Sequence, residues 1–315
     1  MSFFQPAPGT VLSHDIADYP DGIVLPIDKP YRWTSADVIR KVKFAAFRHF
    51  RKKNLKVGHA GTLDPLATGV LLVCLGPACK RAQEFQDHDK EYVAGIRFGA
   101  TTPSYDLEKE VDRTFPYDRV TEEAVRAVLP SFLGPQEQVA PLFSAKSVDG
   151  VRAYEMARKL YRNAQKGVLD PDFDAAALET LHRSRITISD LELLGFVEAS
   201  AETPRTNFFS PEKRSKKSCP TPDADAACTQ TVISSGVEKS ASSRINVADT
   251  SSLGLPEARI RIACSKGTYI RAFARDLGEA LGTGAHLSSL VRTKTGAFRL
   301  EDALSLEEAL ALLAD

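Results

Sequence analysis

GHAGTLDPLATGVLLVCLG, Gly58 to Gly76, places a loop punctuated by Gly61, Pro65 and Gly69 directly before the apolar, strand-like run Val70 to Leu75. A strand behind a loop gives the loop's polar side chains a fixed platform, and glycines let backbone approach a ligand closely. His59 and Asp64 are the polar candidates there. An aspartate before proline is by itself an ordinary turn or cap residue. In this setting it also suits a carboxylate presented to a substrate, and the residues alone leave both readings open.

Upstream, IVLPIDKP (Ile23 to Pro30) reads as a short buried strand stopped by proline, and Thr34-Ser35-Ala36-Asp37 as the start of a helix running into VIRKVKFAAF. From Arg40 to Lys56 the chain has eight Lys or Arg and no acid, interleaved with Phe44, Phe47 and Phe50. The whole chain has 41 basic and 41 acidic side chains, so this basic face is a local feature. It fits a solvated amphipathic helix or a phosphate-binding surface. Residues 1 to 21 hold Pro6, Pro8, Gly9 and Pro20 without a sustained period and read as a loosely attached arm.

Downstream, the stretch ending Tyr92 to Gly99 has strand character, and Thr121-Glu122-Glu123 opens a helix predicted to end near Gly134. A further helix is predicted from about Arg152 to Gln165 and a strand from Arg185 to Phe196. Between 199 and 256 Ser, Thr, Lys and Pro replace any apolar period. That stretch is expected to be a disordered insertion, with too little apolar surface to offset its chain entropy. ARIRIAC (Ala258 to Cys264) then alternates as a half-buried strand.

In SKGTYIRAFARDLGEALG, Ile270, Phe273, Ala274, Leu277 and Leu281 share one helical face and Arg271, Arg275 and Glu279 the opposite, free one. Arg271 there fits a surface salt bridge, or a partner that keeps a buried carboxylate ionised. Ser305-Leu306-Glu307-Glu308 is a capping box before a final short helix.

At 315 residues and 43% hydrophobic, the chain can build one large domain or two ordinary ones. No run of about 18 apolar residues and no signal-peptide pattern occur, which predicts a cytoplasmic protein away from membranes. Five cysteines without a C-x-x-C pair fit neither a disulfide framework nor a zinc site. The glycines from Gly58 to Gly69 match neither nucleotide-binding fingerprint, G-x-x-x-x-G-K-[ST] or G-x-G-x-x-G.

GHAGTLDPLATGVLLVCLG resembles the catalytic motif of the TruB-type tRNA pseudouridine-55 synthases. Four more segments resemble the family in its own order: IDKP (Ile27 to Pro30), KEYVAGIRFGATT (Lys90 to Thr102), APLFSAKSVDGVRAYEMAR (Ala140 to Arg158) and CSKGTYIRAFARDLGEALGTGAHLSSLVRT (Cys264 to Thr293). The resemblance implies an α+β pseudouridine synthase fold, a mixed, mostly antiparallel sheet flanked by helices. The catalytic domain would comprise 22–198 and 257–315, with the arm (1–21) and the insertion (199–256) outside it.

The implied reaction cuts the N1 glycosidic bond of a T-loop uridine, turns the uracil and rejoins the ribose to C5, with no metal or cofactor. Asp64 would be the catalytic carboxylate, Arg271 would orient it, and Tyr92 would stack on the flipped ring and assist loss of the C5 proton. His59 resembles the side chain that replaces the flipped base; Lys29, Tyr269 and Leu290 resemble pocket residues. The implied partner is the T-arm of tRNA, with Arg51, Lys52 and Lys53 on a phosphate-tracking surface, and a monomer without an obligate protein partner is expected. Family members commonly continue into a PUA-type RNA-binding domain; this chain stops soon after its last matching segment, and that module is expected to be missing. Ala140 and Phe143 stand where the family often has Pro and Tyr, and Thr102-Pro103-Ser104-Tyr105-Asp106 follows its pattern only loosely.

Overall fold

A computed structural model describes residues 3–6, 9–141, 147–148, 151–152, 183–199, 245 and 247–314. The apolar runs of the sequence become strands of one sheet. Its first five strands are β1 (Ile23–Lys29), β2 (Val57–Ala60), β3 (Ala67–Leu75), β4 (Lys90–Phe98) and β5 (Gly134–Val139). The rest are β6 (Arg183–Val197), β7 (Glu257–Cys264), β8 (Ala285–Thr295) and β9 (Phe298–Arg299). The order is β1-β3-β8-β4-β7-β6-β5, with β2 added to β3 and β9 to β8.

Every pairing is antiparallel except the short parallel contact of Ala67–Gly69 with Leu290–Arg292. β1 covers one edge of β3. The other edge is shared: β8 pairs with residues 67 to 69 and β2 with residues 72 to 75. The loop from Gly61 to Leu66, which carries Asp64, emerges at that split.

Helices α1 (Ser35–His49), α2 (Ala82–Asp87), α3 (Glu122–Val128), α4 (Ile270–Ala280) and α5 (Leu306–Leu312) flank the sheet. Two of them begin with the capping boxes legible in the sequence, Thr34 with Asp37 and Ser305 with Glu308, each satisfying two otherwise orphaned amides. Val38, Val42 and Ala46 of α1 and Phe273, Ala274 and Leu277 of α4 enter one core with Leu25, Ile27, Leu71, Ile96 and Ile260 of the strands. No helix among the described residues is long and apolar enough to cross a membrane.

Several boundaries differ from expectation. Gly58-His59-Ala60 is strand, because the ladder to Leu72–Leu75 satisfies its backbone, and the loop proper is shorter than the glycine pattern suggests. The helix after Thr121 stops at Val128 and ends in a 3-10 turn, Leu129–Phe132, where Pro130 has no amide to donate. The two-residue strands Ser147–Val148 and Val151–Arg152 pair just before the predicted helix and overlap it only at Arg152. The rest of that helix, from 153 on, lies outside the described residues, as does most of the expected insertion.

The last part of that insertion is structured. Ala248 donates its amide to the Leu107 carbonyl at 2.8 Å, and buried Thr250 accepts from Arg97, itself paired with Glu257. Its Ser- and Thr-rich composition conceals hydroxyls used as internal partners.

The N-terminal segment is also anchored, contrary to a loose attachment. Phe4 bridges to Ile23, a 3-10 turn spans Ile16–Asp18, and Leu12, 3% exposed, joins the main core with Ile16. Leu12→Ala is expected to lower unfolding free energy by about 2–4 kcal/mol in urea titration, whereas a loosely held arm would change it by less than about 0.5 kcal/mol.

Candidate active site

The loop between β2 and β3 is held at almost every residue. Ser35, the first residue of α1, donates its hydroxyl to the Leu63 carbonyl and accepts the Leu63 amide, at 3.1 and 3.0 Å. The Pro65 carbonyl accepts from the Arg32 amide at 3.0 Å and from Lys29 Nζ at 3.2 Å. Ala67 donates to the Asp64 carbonyl at 3.1 Å, and Gly69 to Asp28 Oδ1 at 3.0 Å. Gly69 has φ +99°, and a Cβ there would lie 2.2 Å from the Arg292 carbonyl oxygen, so only glycine fits. With its backbone tied, the loop presents the Asp64 side chain in one direction.

That side chain meets Arg271, in the first turn of α4. The guanidinium donates from Nε to Oδ2 at 3.0 Å and from Nη2 to Oδ1 at 3.2 Å, the two-pronged geometry that holds a carboxylate in one plane. The Asp64 side chain remains 40% exposed toward the cleft, while Arg271 is 5% exposed behind it. Nη1 of Arg271 donates to the Ser104 carbonyl at 3.2 Å, and Nε lies 3.8 Å from Oδ2 of buried Asp106. Asp106 also accepts from Ser104 Oγ at 2.6 Å and from the Glu108 amide at 2.9 Å.

Burial pulls the Arg271 guanidinium down, and the charges of Asp64, Asp106 and Glu108 more than offset it, so it stays charged throughout the working range. Burial raises the Asp106 carboxyl, opposed by Arg271. The start of α4 is fixed from outside the helix: Tyr269, its N-cap, donates its amide to Gln138 Oε1 at 2.8 Å and accepts from Gln138 Nε2 at 3.1 Å. A side chain of β5 thus fixes the backbone of the residue before the helix, and with it where Arg271 begins its reach.

A carboxylate fixed on a preformed loop, facing a cleft lined by Leu66, Leu107, Leu287 and Leu290, is suited to nucleophilic or general-base chemistry on a flat apolar group. Residues 48–167 match the family model for the TruB family pseudouridylate synthase N-terminal domain, and residues 271–315 that for the tRNA pseudouridylate synthase B C-terminal domain. The chain is 41% identical over 290 residues, 92% of each chain, to the tRNA pseudouridine synthase B of Phocaeicola vulgatus. It is 42% identical over 290 residues to that of Bacteroides thetaiotaomicron, again 92% of each chain. The chain belongs to the TruB family of pseudouridine synthases.

TruB relatives extend to Deinococcus radiodurans, at 37% identity over 90% of this chain and 77% of that protein. Two solved structures share the fold. One, an H/ACA RNP bound to a substrate RNA containing 2'-deoxyuridine, matches 92% of this chain with TM-score 0.50 and 20% identity. The other, a Cbf5-Nop10-Gar1 complex, matches 92% with TM-score 0.51 and 22% identity. This chain spans about half the length of those chains, 53% and 54%. The C-terminal match covers α4, β8, β9 and α5, which are built into the same sheet and core as the N-terminal one.

Of the residues assigned by TruB resemblance, Asp64, Arg271 and Leu290 line one cleft with Asp106 and Ser288. Tyr92 is buried on β4 beside Arg292; burial raises its hydroxyl, with Arg292 pulling the other way. Lys29 is fully buried beneath the loop, its Nζ donating to the carbonyls of Pro30, Trp33 and Pro65 at 2.9, 2.6 and 3.2 Å. Burial pushes its ammonium down to about 7, against the pull of Asp64 and Asp28. His59, on β2, is half-buried, and burial and the Arg292 charge both lower its ring.

Arg51, Lys52 and Lys53 are exposed in the turn after α1, roughly 20 Å, the length of that helix, from the Ser35 end that touches the loop. They stand outside the cleft. Arg271 corrects the helical-face reading: the side opposite the apolar stripe is buried at this residue, against Asp64 and Asp106. Ser35, Gln138, Asp106 and Arg292 carry no functional signal in the sequence. Ser35 reads only as part of a helix start, Gln138 belongs to no local pattern, and Asp106 and Arg292 fall within family-like stretches that single neither of them out.

Arg271→Met leaves Asp106 buried without its cation and is expected to cost about 3–5 kcal/mol of stability. Asp64→Ala leaves Arg271 paired with Asp106 and faces the cleft, so chemical denaturation should register less than about 1 kcal/mol.

Proposed function

We propose that this TruB-family protein isomerises a uridine in the T-loop of tRNA, at position 55, to pseudouridine, with Asp64 as the catalytic carboxylate. Its membership of the family, with curated relatives at about 40% identity over 92% of the chain, makes it a tRNA pseudouridine synthase. The observation that supports the residue assignment is the bidentate pair of Asp64 with a buried Arg271, the carboxylate open to an apolar cleft.

The target base must leave its stack before its glycosidic bond can be reached, and His59, at the end of β2 beside the loop, fills the space it vacates. Asp64, ionised and aimed, acts at the ribose, by attack on C1′ or by taking the C2′ proton; both routes need it charged and close. The N1–C1′ bond breaks, the uracil turns within the apolar cleft, and C5 bonds to C1′, which releases the Asp64 carboxylate on the first route and returns the proton to C2′ on the second. With Tyr92 against the ring, the C5 proton passes to water and N1 takes one up, so the product is an isomer of the substrate. The Arg271 guanidinium holds the carboxylate in plane without being consumed. Exposed Arg51, Lys52 and Lys53 meet phosphates of the T-arm, supplying affinity, while the folded T-loop supplies the choice of site.

With tRNA transcripts tritiated at uridine C5, the protein is expected to release one tritium per tRNA, mapped to position 55, and Asp64→Ala to abolish release. Full release by that variant, or release from another position, would refute the assignment. Lys52→Glu with Lys53→Glu should raise KM with kcat unchanged and shallow the log–log salt dependence by about 1 for each phosphate that is no longer neutralised; identical kinetics across a salt series would remove these lysines from the interface.

A further inference from the structure

We propose that Arg292 is a positioning residue for the reaction: one guanidinium ties together both ends of the loop that carries Asp64. The proposal rests on Asp64 being the catalytic carboxylate. Arg292 lies on β8, is 1% exposed, and makes no ion pair with a carboxylate among the described residues. Three of its contacts are to main-chain oxygens, Nη2 to Gly61 at 3.1 Å, Nη1 to Thr62 at 3.5 Å and Nε to Val70 at 2.7 Å, and it also hydrogen-bonds the Tyr92 side chain opposite it on β4. Gly61 and Thr62 are the first residues after β2, and Val70 follows the part of β3 that pairs with β8. The chain therefore leaves one side of this guanidinium, passes through Asp64, and returns to the other.

The shared edge of β3 explains the placement. Val70 falls between the stretch paired with β8 and the stretch paired with β2, where no neighbouring strand continues the ladder, and the side chain of β8 reaches across instead. Both positive-φ glycines of the loop lie against the same residue: Gly61 beside its guanidinium and Gly69 against its backbone.

A buried cation with no carboxylate is costly, more so beside Lys29, Lys90 and His59, all of which feel its charge. A lysine ammonium can meet three carbonyls gathered around one point, as Lys29 does, but it cannot span the two ends of the loop as the planar fork does, and an apolar side chain would leave all three carbonyls bare. Arg292 is absent from the cleft lining and acts through what it holds, the loop; a Tyr92→Phe control, which removes its contact with the Tyr92 hydroxyl and leaves the tether, separates the two.

The test is single-turnover isomerisation and tRNA binding by Arg292→Met, Arg292→Lys and Arg292→Ala. Misplacing Asp64 by about 1 Å is expected to lower the rate constant of Arg292→Met by about 100-fold, with the Kd for tRNA within about twofold of wild type. Arg292→Lys should fall between, and added guanidinium ion should restore part of the rate to Arg292→Ala but none to Arg292→Met. Gly61→Ala, which keeps the guanidinium but strains the tethered turn, should lower the rate constant and not affinity, and it carries the test if the arginine variants do not fold. An unchanged rate constant in folded Arg292→Met, or loss of rate matched by loss of tRNA binding, would overturn the proposal. Amide exchange at residues 61 to 70, faster in Arg292→Met, reads the tether without reference to activity. If Asp64→Ala retained activity, that readout would separate failure of the Asp64 assignment from failure of the tether.

Discussion

A guanidinium in the interior must have its charge or its donors met, and the site is organised around how those of Arg271 are. At 5% exposure it would cost several kcal/mol alone, and two carboxylates from distant parts of the chain divide the task. Asp106 is buried, bound to Ser104 and the Glu108 amide, and stays with the protein. Asp64 keeps one side open. The division lets an ionised carboxylate face an apolar cleft, since its partner is anchored from behind whatever occupies the front. A lone exposed aspartate would be charged but unaimed, and a fully buried one aimed but out of reach.

The sheet supplies the positions. The parallel contact of β3 with β8 in an otherwise antiparallel sheet divides one edge of β3, and the loop leaves at that division. Cations then act as internal scaffolding: Lys29 beneath Pro65 and Arg292 behind Gly61, Thr62 and Val70 both spend their donors on carbonyls. The loop is thereby held without a helix or strand of its own, in the geometry that catalysis by preorganised groups requires.

Strands built from apolar runs, such as β1, β3, β4 and β7, were legible in the sequence, as were helix starts with a hydroxyl and an acid three residues on. Those signals are local. Asp64 stands out through its glycines and proline, but the roles of Tyr92, His59 and Leu290 came from family resemblance. The burial of Arg271 was not legible, because a helical period reports one apolar stripe and not a second, charged contact with partners 207 and 165 residues away. Arg292 sits in a short polar stretch with no acid nearby, so its carbonyl partners leave no trace in spacing. The anchored segments before Ile23 and around Thr250 were missed for the opposite reason: proline- and serine-rich composition lowers an average while single residues such as Leu12 and Thr250 still pack.

With its backbone tethered in this way, the Asp64 loop is set before RNA arrives. The crystal structure of Asp64→Asn bound to a T-arm stem-loop, compared with the RNA-free protein, measures this. Residues 61 to 69 are expected to superimpose within about 1 Å, with the target ribose against position 64 and the uracil between Leu290 and Tyr92. A loop that rearranges by several ångströms on binding, or a target nucleotide seated away from position 64, would contradict it.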